Sequence, residues 1–189
     1  GITGEFVPWL ATGYAFNDDA TSLTFTLRDG VLWSDGEPFT ASDVAFTFTM
    51  LRDKAGLQGP AVAAMGAQAG YVDSVTASDA LTVVFTFKTP YSIALYDLAE
   101  QNIVPEHIWG SIEDPAAFTN ENPVGTGPFT EVVNYTPEQY EVHRNPNYWQ
   151  AESVHFGGFR VTQGLAPDAN TLAIINGDYD WTGAFIPDI

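Results

Sequence analysis

The alternation of apolar and polar residues predicts strands at several points along the chain. Residues 23–28 alternate Leu, Phe and Leu with Thr, Thr and Arg, which is the period-two pattern of a half-buried strand. The same pattern predicts a hairpin over residues 71–88 that turns at Ser78-Asp79. Further strands are predicted within residues 1–22 (a strand or an extended segment), 31–33, 129–134, 140–144, 156–163 and 179–181.

Helices are predicted between these strands. Thr40 is a suitable N-cap with Asp43 three residues later, close to the capping-box pattern, so a helix begins there and runs to about residue 51. Residues 46–49 also alternate like a strand, but the cap and the charged residues 52–54 favour the helix. Shorter helices are predicted over residues 60–65, 92–99, 114–118 and 168–175, with a short strand running into a one-turn helix over 103–109. The helix over 168–175 begins at Asp168 and ends at Gly177.

Composition narrows the possible classes of protein. The chain has 189 residues, 45% hydrophobic, enough for one or two small domains with a packed core. A net charge of −18 with only six Lys and Arg argues against a nucleic-acid partner, because phosphate binding needs clustered cations. No run approaches the ~20 apolar residues that span a bilayer. The first residue is Gly rather than Met, so we expect a processed or excised piece.

The residues that carry chemistry in other proteins do not predict an enzyme here. His107, His143 and His155 have no metal-ligand spacing, so neither a metal site nor a cofactor is predicted. The chain has no Cys and no Gly-x-Ser-x-Gly turn, and no pair of its acidic residues is marked out as an acid and base. The Gly125–Gly127 loop lacks the Lys and the following helix of a phosphate-binding loop. We interpret it as a crossover where glycines let strands approach closely.

Four motifs, taken together and in this order, resemble one known family. They are residues 27–31 with 33–36 and 40–44 (LRDGV, WSDG and TASDV), residues 123–129 (PVGTGPF), residues 144–149 (RNPNYW) and residues 176–181 (NGDYDW). The chain is similar to the family 5 extracellular solute-binding receptors of bacterial ABC importers, which handle oligopeptides, nickel complexes and some oligosaccharides. The motifs cover nearly the whole chain.

The resemblance implies a fold and an organisation. It implies a mixed α/β fold of the type II periplasmic-binding-protein class, with mixed sheets and flanking helices. Residues 1–121 would form the extra subdomain of the first lobe, and residues 122–189 part of its core subdomain, with the second lobe absent. The implied protein is a monomer in the periplasm or at the cell surface, lipid-anchored at full length, which delivers its ligand to the membrane subunits of an importer.

The final stretch of the chain is the basis for the predicted ligand. Residues 177–189 are similar to the branch of the family that binds cello-oligosaccharides, so an oligosaccharide is favoured slightly over an oligopeptide. Aromatic side chains suit sugar rings, whose C–H faces are apolar, and nearby polar groups suit the hydroxyls. The predicted ligand-binding residues are Asn176, Asp180, Trp181, Phe185, Gly125, Thr126 and Gly127.

Several alternatives stay open at this point. Trp181 could instead pack in a core, whereas Trp9, Trp33, Trp109 and Trp149 are expected to be structural. A carbohydrate-active enzyme module and a structural surface domain are the two other classes of function. Because one wall of the expected cleft is missing, we expect the 189 residues alone to bind weakly.

Overall fold

The computed structural model describes residues 6–66, 70–162, 164 and 166–182. These residues form two antiparallel sheets with helices around them. The strands are β1 (Ala11–Phe16), β2 (Ser22–Leu27), β3 (Val72–Asp79), β4 (Thr82–Phe87), β5 (Phe129–Tyr135), β6 (Gln139–Arg144) and β7 (Gly158–Thr162). The helices are α1 (Ala41–Asp53), α2 (Val62–Met65), α3 (Ala94–Leu98), α4 (Glu106–Trp109) and α5 (Pro167–Asn176), with a short 3-10 turn at Ala151–Ser153. Within the described part of the chain, no helix is both long and apolar enough to cross a bilayer.

The first region, residues 6–121, is built on a four-stranded sheet in the order β1-β2-β4-β3. Its central strands show why the sequence folds this way, because Leu23 of β2 pairs with Phe85 of β4 and both are buried. Helix α1 packs over this sheet and presents Val44, Phe48 and Leu51 to it. The buried core has the members Leu23, Leu27, Val31, Trp33, Phe39, Ala41, Val44, Phe48, Leu51, Ala61, Ala64, Met65, Val72, Val83, Phe85, Phe87, Tyr91, Ala94, Leu95 and Leu98.

The start of α1 is fixed by Asp43, a buried carboxylate. The Thr40 backbone N–H donates to Asp43 Oδ2 at 2.8 Å, as the capping pattern in the sequence predicts. The Glu106 N–H donates to Asp43 Oδ1 at 3.0 Å, so the same side chain also holds the start of α4. Thr47, one turn further along α1, accepts from the Val104 N–H at 3.0 Å. Two buried polar side chains on α1 therefore position the segment that leads into α4.

The second region, residues 122–182, is built on the three-stranded sheet β5-β6-β7. Its register pairs Phe129 with Arg144 at one end and Gln139 with Thr162 at the other. One face of this sheet carries aromatic rings, with Phe129 stacked on Phe156 at 4.9 Å between ring centroids and edge-on to Phe159 at 5.1 Å. Phe156 is 56% exposed and Phe159 39% exposed, so this face is only partly covered by the described residues. The two sheets lie on either side of the predicted boundary near residue 121; the division into subdomains stays a prediction.

Most predicted elements are confirmed, with shifted ends. The helix over 40–51 forms as α1, and Gly177 ends α5 in the left-handed conformation at φ 77°. The hairpin over 71–88 forms as β3 and β4, but it turns at residues 80–81 rather than at Ser78-Asp79, because the pairing extends to Asp79. Asp168 lies in the first turn of α5 behind Pro167, so it does not cap the helix as predicted.

Four predicted elements are wrong. Residues 31–33 are not a strand, because only Leu32 forms a bridge, to Pro38, across the tight turn that they enter. Residues 103–104 form no strand, since the Val104 N–H donates to the Thr47 hydroxyl rather than to a neighbouring strand. Residues 114–118 form turns rather than a helix, and residues 179–181 form no strand because the chain there folds back onto the end of α5.

Candidate functional site

Three turns from distant parts of the chain meet around Ser34. The Ser34 N–H donates to the Gly125 carbonyl at 3.0 Å, and the Gly125 N–H donates to the Ser34 hydroxyl at 3.3 Å. Asn147 Nδ2 donates to the Ser34 carbonyl at 3.1 Å. Three of the four family motifs therefore converge, and we call this group, with Asn145, the three-turn cluster.

Asn145 fixes the other side of the same loop. Its side chain is fully buried, and Nδ2 donates to the Gly127 carbonyl at 2.9 Å. Its backbone N–H donates to the Pro128 carbonyl at 2.8 Å, while Oδ1 accepts from the Asn147 N–H at 2.9 Å. A buried amide with all of these partners is both satisfied and costly to remove. The Gly125–Gly127 loop is thus held at both ends.

The middle of that loop has unused polar groups. Thr126 makes no hydrogen bond, through backbone or hydroxyl, to any residue that the structure describes, and it is half-exposed. A Cβ on Gly125 would lie 3.3 Å from Thr130 Cγ2, which supports the predicted close approach at that glycine. At Gly127 that interpretation is wrong, because a Cβ there would meet nothing within 4 Å. Gly127 borders open space.

Arg28 ties the edge of the first sheet to the turn that contains Asn147. Its Nε donates to the Trp9 carbonyl at 2.9 Å, and its guanidinium carbon lies 4.2 Å from the centre of the Trp149 ring. Trp9 and Trp149 meet edge to face at 5.2 Å. Such a cation–π contact stabilises partly desolvated sites by about 0.5–2 kcal/mol. The structural role expected for both tryptophans agrees with these contacts.

The second group of predicted residues lies at the end of α5 and just after it. The Asp178 N–H donates to the Ala173 carbonyl at 2.8 Å, and the Thr162 hydroxyl donates to the Tyr179 hydroxyl oxygen at 2.8 Å. Trp181 is 84% exposed, so it does not pack in a core formed by the described residues. Asn176 and Asp180 are also exposed. Phe185, the remaining predicted residue of this group, lies outside the described residues.

The two groups of predicted residues lie at opposite ends of the second sheet. The Gly125–Gly127 loop precedes β5, at the end of the sheet where Phe129 pairs with Arg144. Tyr179 is hydrogen-bonded to Thr162, which pairs with Gln139 at the opposite end of the sheet. Because the strands have five to seven residues, the distance between the two ends of the sheet is roughly 15–20 Å. Within the described part of the chain, no hydrogen bond joins the loop to residues 176–182. The structure does not bring the two groups into direct contact.

A hydrogen-bonded carboxylate–imidazole pair lies beside the three-turn cluster, where His107 Nε2 of α4 is 2.8 Å from Asp35 Oδ2. Partial burial tends to raise the pKa of Asp35, but the hydrogen bonds from His107 and from the Glu37 amide outweigh it and leave that pKa lowered. A shallow depression of about 430 Å³ adjoins this pair, lined by Glu37, Pro38, Thr40, Asp43, Glu106 and His107. Among the residues that the structure describes, no three His, Asp or Glu side chains are grouped as a metal site.

Sequence reasoning missed Ser34, Asn145 and Asn147, although each lies inside one of the four motifs. Ser34 and Gly125 are 91 residues apart, and Ser34 and Asn147 are 113 apart, so no local pattern links them. The one available signal was that Ser34, Asn145 and Asn147 lie in short stretches with Gly, Asn or Pro (WSDG and NPN), which are residue types typical of turns. Such residues suggest specific turn geometry but do not reveal which turns meet.

Comparisons with known proteins identify the class. A periplasmic oligopeptide-binding protein of Thermotoga maritima, solved with mannohexaose bound, has a TM-score of 0.83 and 27% identity, over 99% of this chain and 34% of that one. The ABC transporter substrate-binding protein CtaP of Listeria monocytogenes has a TM-score of 0.80 and 29% identity, over 89% of this chain and 34% of that one. These neighbours confirm the predicted mixed α/β fold of the periplasmic-binding-protein type; its two sheets are antiparallel in the described residues rather than mixed.

Sequence relatives give the family. Protein XP55 of Streptomyces lividans is 35% identical over 187 residues, 97% of this chain and 32% of that protein. The nickel-binding periplasmic protein of Escherichia coli is 31% identical over 187 residues, 94% of this chain and 33% of that protein. Residues 5–189 match the family described as bacterial extracellular solute-binding proteins, family 5 Middle, and the chain belongs to that family.

Family membership confirms the resemblance carried by the four motifs. It also agrees with the predictions of a non-enzymatic solute-binding protein and of a location outside the cytoplasm. The chain spans about a third of the length of the curated relatives that it matches. The similarity of residues 177–189 to a cello-oligosaccharide branch stays a prediction.

Proposed function

We propose that the full-length protein is the substrate-binding component of an ABC transporter. It captures an oligosaccharide outside the cytoplasmic membrane and delivers it, as a monomer, to the membrane subunits of an importer. Residues 1–121 form the extra subdomain of its first lobe and residues 122–189 part of the core subdomain. The ligand binds against a second lobe and favours the closed form through its higher affinity for that form.

One observation favours an oligosaccharide. The Thermotoga maritima protein, which matches 99% of the present chain, was solved with mannohexaose bound. The exposed Trp181, 84% accessible beside Asp180, offers an apolar ring face with a hydrogen-bonding neighbour, which is the pairing that sugar rings require. The separation of roughly 15–20 Å between Tyr179 and the Gly125–Gly127 loop suits an oligomer better than a single sugar.

An oligopeptide is the second candidate. Relatives from several Brucella species, 34% identical over 144 residues, are named as putative peptide-binding proteins of ABC transporters. The unused backbone groups of Thr126 would suit a peptide main chain as well as a hydroxyl. Both candidate ligands therefore use the Gly125–Gly127 loop, and only the oligosaccharide uses the ring of Trp181.

The test is a thermal-shift titration of the full-length protein with cellotetraose and with tetra-alanine. We expect the melting temperature to rise with cellotetraose, since a ligand at 100 times its Kd stabilises the folded state by about 2.7 kcal/mol. In the Trp181→Ala variant we expect about 2- to 10-fold weaker binding, because a ring contact contributes about 0.5–1.5 kcal/mol. Tyr96→Ala, which removes another exposed ring in the first region, serves as the control.

The outcomes separate the classes of function. A shift with tetra-alanine alone would make the protein a peptide receptor. If chromatography detects shorter sugars released from cellotetraose, this result would favour an enzyme module. No shift with either probe would overturn the proposal and favour a structural surface domain.

A further inference from the structure

We infer that Thr126 and Gly127 form a hydrogen-bonding edge for a neutral amide or hydroxyl group of the ligand, and that Ser34 and Asn145 are positioning residues for that edge. The inference rests on the proposed solute-binding function and names the part of the site that the first region and the turn after β6 hold in place. Its support comes from three separate features of the loop.

The first feature is that the loop is held at both ends by groups from other turns. Gly125 exchanges two hydrogen bonds with Ser34, at 3.0 and 3.3 Å. The Gly127 carbonyl accepts from the buried Asn145 at 2.9 Å. A binding loop whose ends are already ordered loses less conformational freedom when a ligand binds, which favours affinity.

The second feature is that the middle of the loop keeps its donors and acceptors free. Within the described part of the chain, the N–H, carbonyl and hydroxyl of Thr126 and the N–H of Gly127 have no hydrogen-bonding partner. The donors and acceptors occur side by side, and residues 123–128 contain no charged side chain. This combination suits a group that both donates and accepts without charge, namely an amide or a hydroxyl.

The third feature is the open space beside Gly127. A Cβ at this position would meet nothing within 4 Å, and Gly127 is not among the residues with positive φ. Neither close packing nor backbone conformation therefore requires a glycine here. Space for a ligand beside Gly127 explains why this position has no side chain.

The principal test is Gly127→Ala in the full-length protein, with Gly13→Ala as the matched control. A Cβ at Gly13 would also meet nothing within 4 Å, but Gly13 lies in β1 at the edge of the first sheet. Both variants should keep or slightly raise the melting temperature, because alanine restricts the unfolded chain. Calorimetry with cellotetraose should show Kd at least tenfold higher for Gly127→Ala and unchanged for Gly13→Ala.

The positioning role is tested at Ser34. Ser34→Ala removes the hydroxyl that accepts from the Gly125 N–H, and we expect Kd to rise about fivefold, the value for the loss of one ordinary hydrogen bond. Ser34→Thr keeps the hydroxyl and should restore Kd to within about twofold of the wild-type value. Equal Kd values for the alanine and threonine variants would overturn the positioning role.

The same titrations with tetra-alanine show whether the edge binds an amide rather than a hydroxyl. If the wild-type protein binds a probe and Gly127→Ala binds it as tightly as Gly13→Ala, this inference is overturned while the proposed function stands. If the wild-type protein binds neither probe, both are overturned.

Discussion

The two regions of the molecule differ in how completely they bury their own apolar side chains. Among the residues that the structure describes, Tyr148 and Ala173 are the only buried apolar side chains of the second region, whereas the first region contains a continuous core around β2, β4 and α1. On the second sheet, aromatic rings such as Phe156 stay more than half exposed. The first region therefore supplies most of the hydrophobic stabilisation of this chain.

The difference also shows how the second region is held. Its sheet begins at the loop that Ser34 and Asn145 fix, so the polar contacts of the three-turn cluster join the two regions beside the packing of Val124 and Trp149 against the first region's core. Arg28 on Trp149 adds a further link from the first region. Hydrogen bonds depend on angle and distance much more strongly than apolar contacts do. The relative position of loop and sheet is thus defined by a few specific bonds.

The largest expected effect on stability contrasts a buried ring of the first region with a partly exposed ring of the second sheet. Phe85 is 1% exposed and meets Phe48 at 4.8 Å and Phe25 at 5.7 Å between ring centroids. Phe85→Ala should lower the free energy of unfolding by about 3–5 kcal/mol, through lost burial and the cavity that remains. Phe159→Ala, at a ring that is 39% exposed, should cost no more than about 1.5 kcal/mol. Urea unfolding of both variants measures the difference; equal losses would contradict the contrast between the regions.

The next effect tests Asn145, which orders the loop and the turn of the second region that contact Ser34. Asn145→Ala removes an amide that bonds to both Gly127 and Asn147 and leaves the Gly127 carbonyl without its partner, so the free energy of unfolding should fall by about 2–3 kcal/mol. Asn134→Ala is the control, because the Asn134 side chain makes no hydrogen bond to a described residue, and it should change stability by less than about 0.5 kcal/mol. Similar urea midpoints for the two variants would show that the buried Asn145 amide does not stabilise the second region.

The first region is also where the sequence predicts the structure best. Helix α1 and strands β2 and β4 follow from local signals: a cap at Thr40, and alternation that places Leu23 and Phe85 inward. Each of these signals depends on only a few neighbouring residues and agrees with how those residues pack in the structure. Residues 31–33 mislead for a physical reason. Val31 and Trp33 are buried on either side of Leu32 as in a strand, but the bonds from Phe39 N–H to Val31 and from Trp33 N–H to Glu37 close a tight turn.

The candidate site was predictable only in part. The glycine loop and Trp181 were both singled out through the family resemblance of their motifs, and Trp181 also because the face of an aromatic ring suits a sugar. The separation of these two groups depends on the register of β5, β6 and β7, which no local pattern specifies. The partners that hold the loop lie 91 residues away at Ser34 and 18 residues away at Asn145. Long-range hydrogen bonds of this kind are visible only once the fold is known.

The smallest effect concerns the Asp35–His107 contact, which joins α4 to the turn beside Ser34. Because the pKa of Asp35 is lowered in the folded protein, its carboxylate contributes stability above the unfolded pKa of about 3.9, and this contribution is lost as the pH falls through the folded pKa. Asp35→Asn should therefore cost less than about 1 kcal/mol at pH 6, since the pair is about one third exposed, and the cost should shrink as the pH falls through the folded pKa.

The contact with His107 can be isolated by a double-mutant cycle with His107→Gln. If the pair supplies the stabilisation, Asp35→Asn should cost less in the His107→Gln background than in the wild type, when thermal unfolding is measured at pH 6. An equal cost in both backgrounds would assign the effect to the Glu37 amide, which also donates to Asp35 at 3.2 Å. In that case α4 and the segment before it would be held to α1 by Asp43 and Thr47 rather than to the turn by His107, and these buried polar contacts would outweigh the partly exposed Asp35–His107 contact.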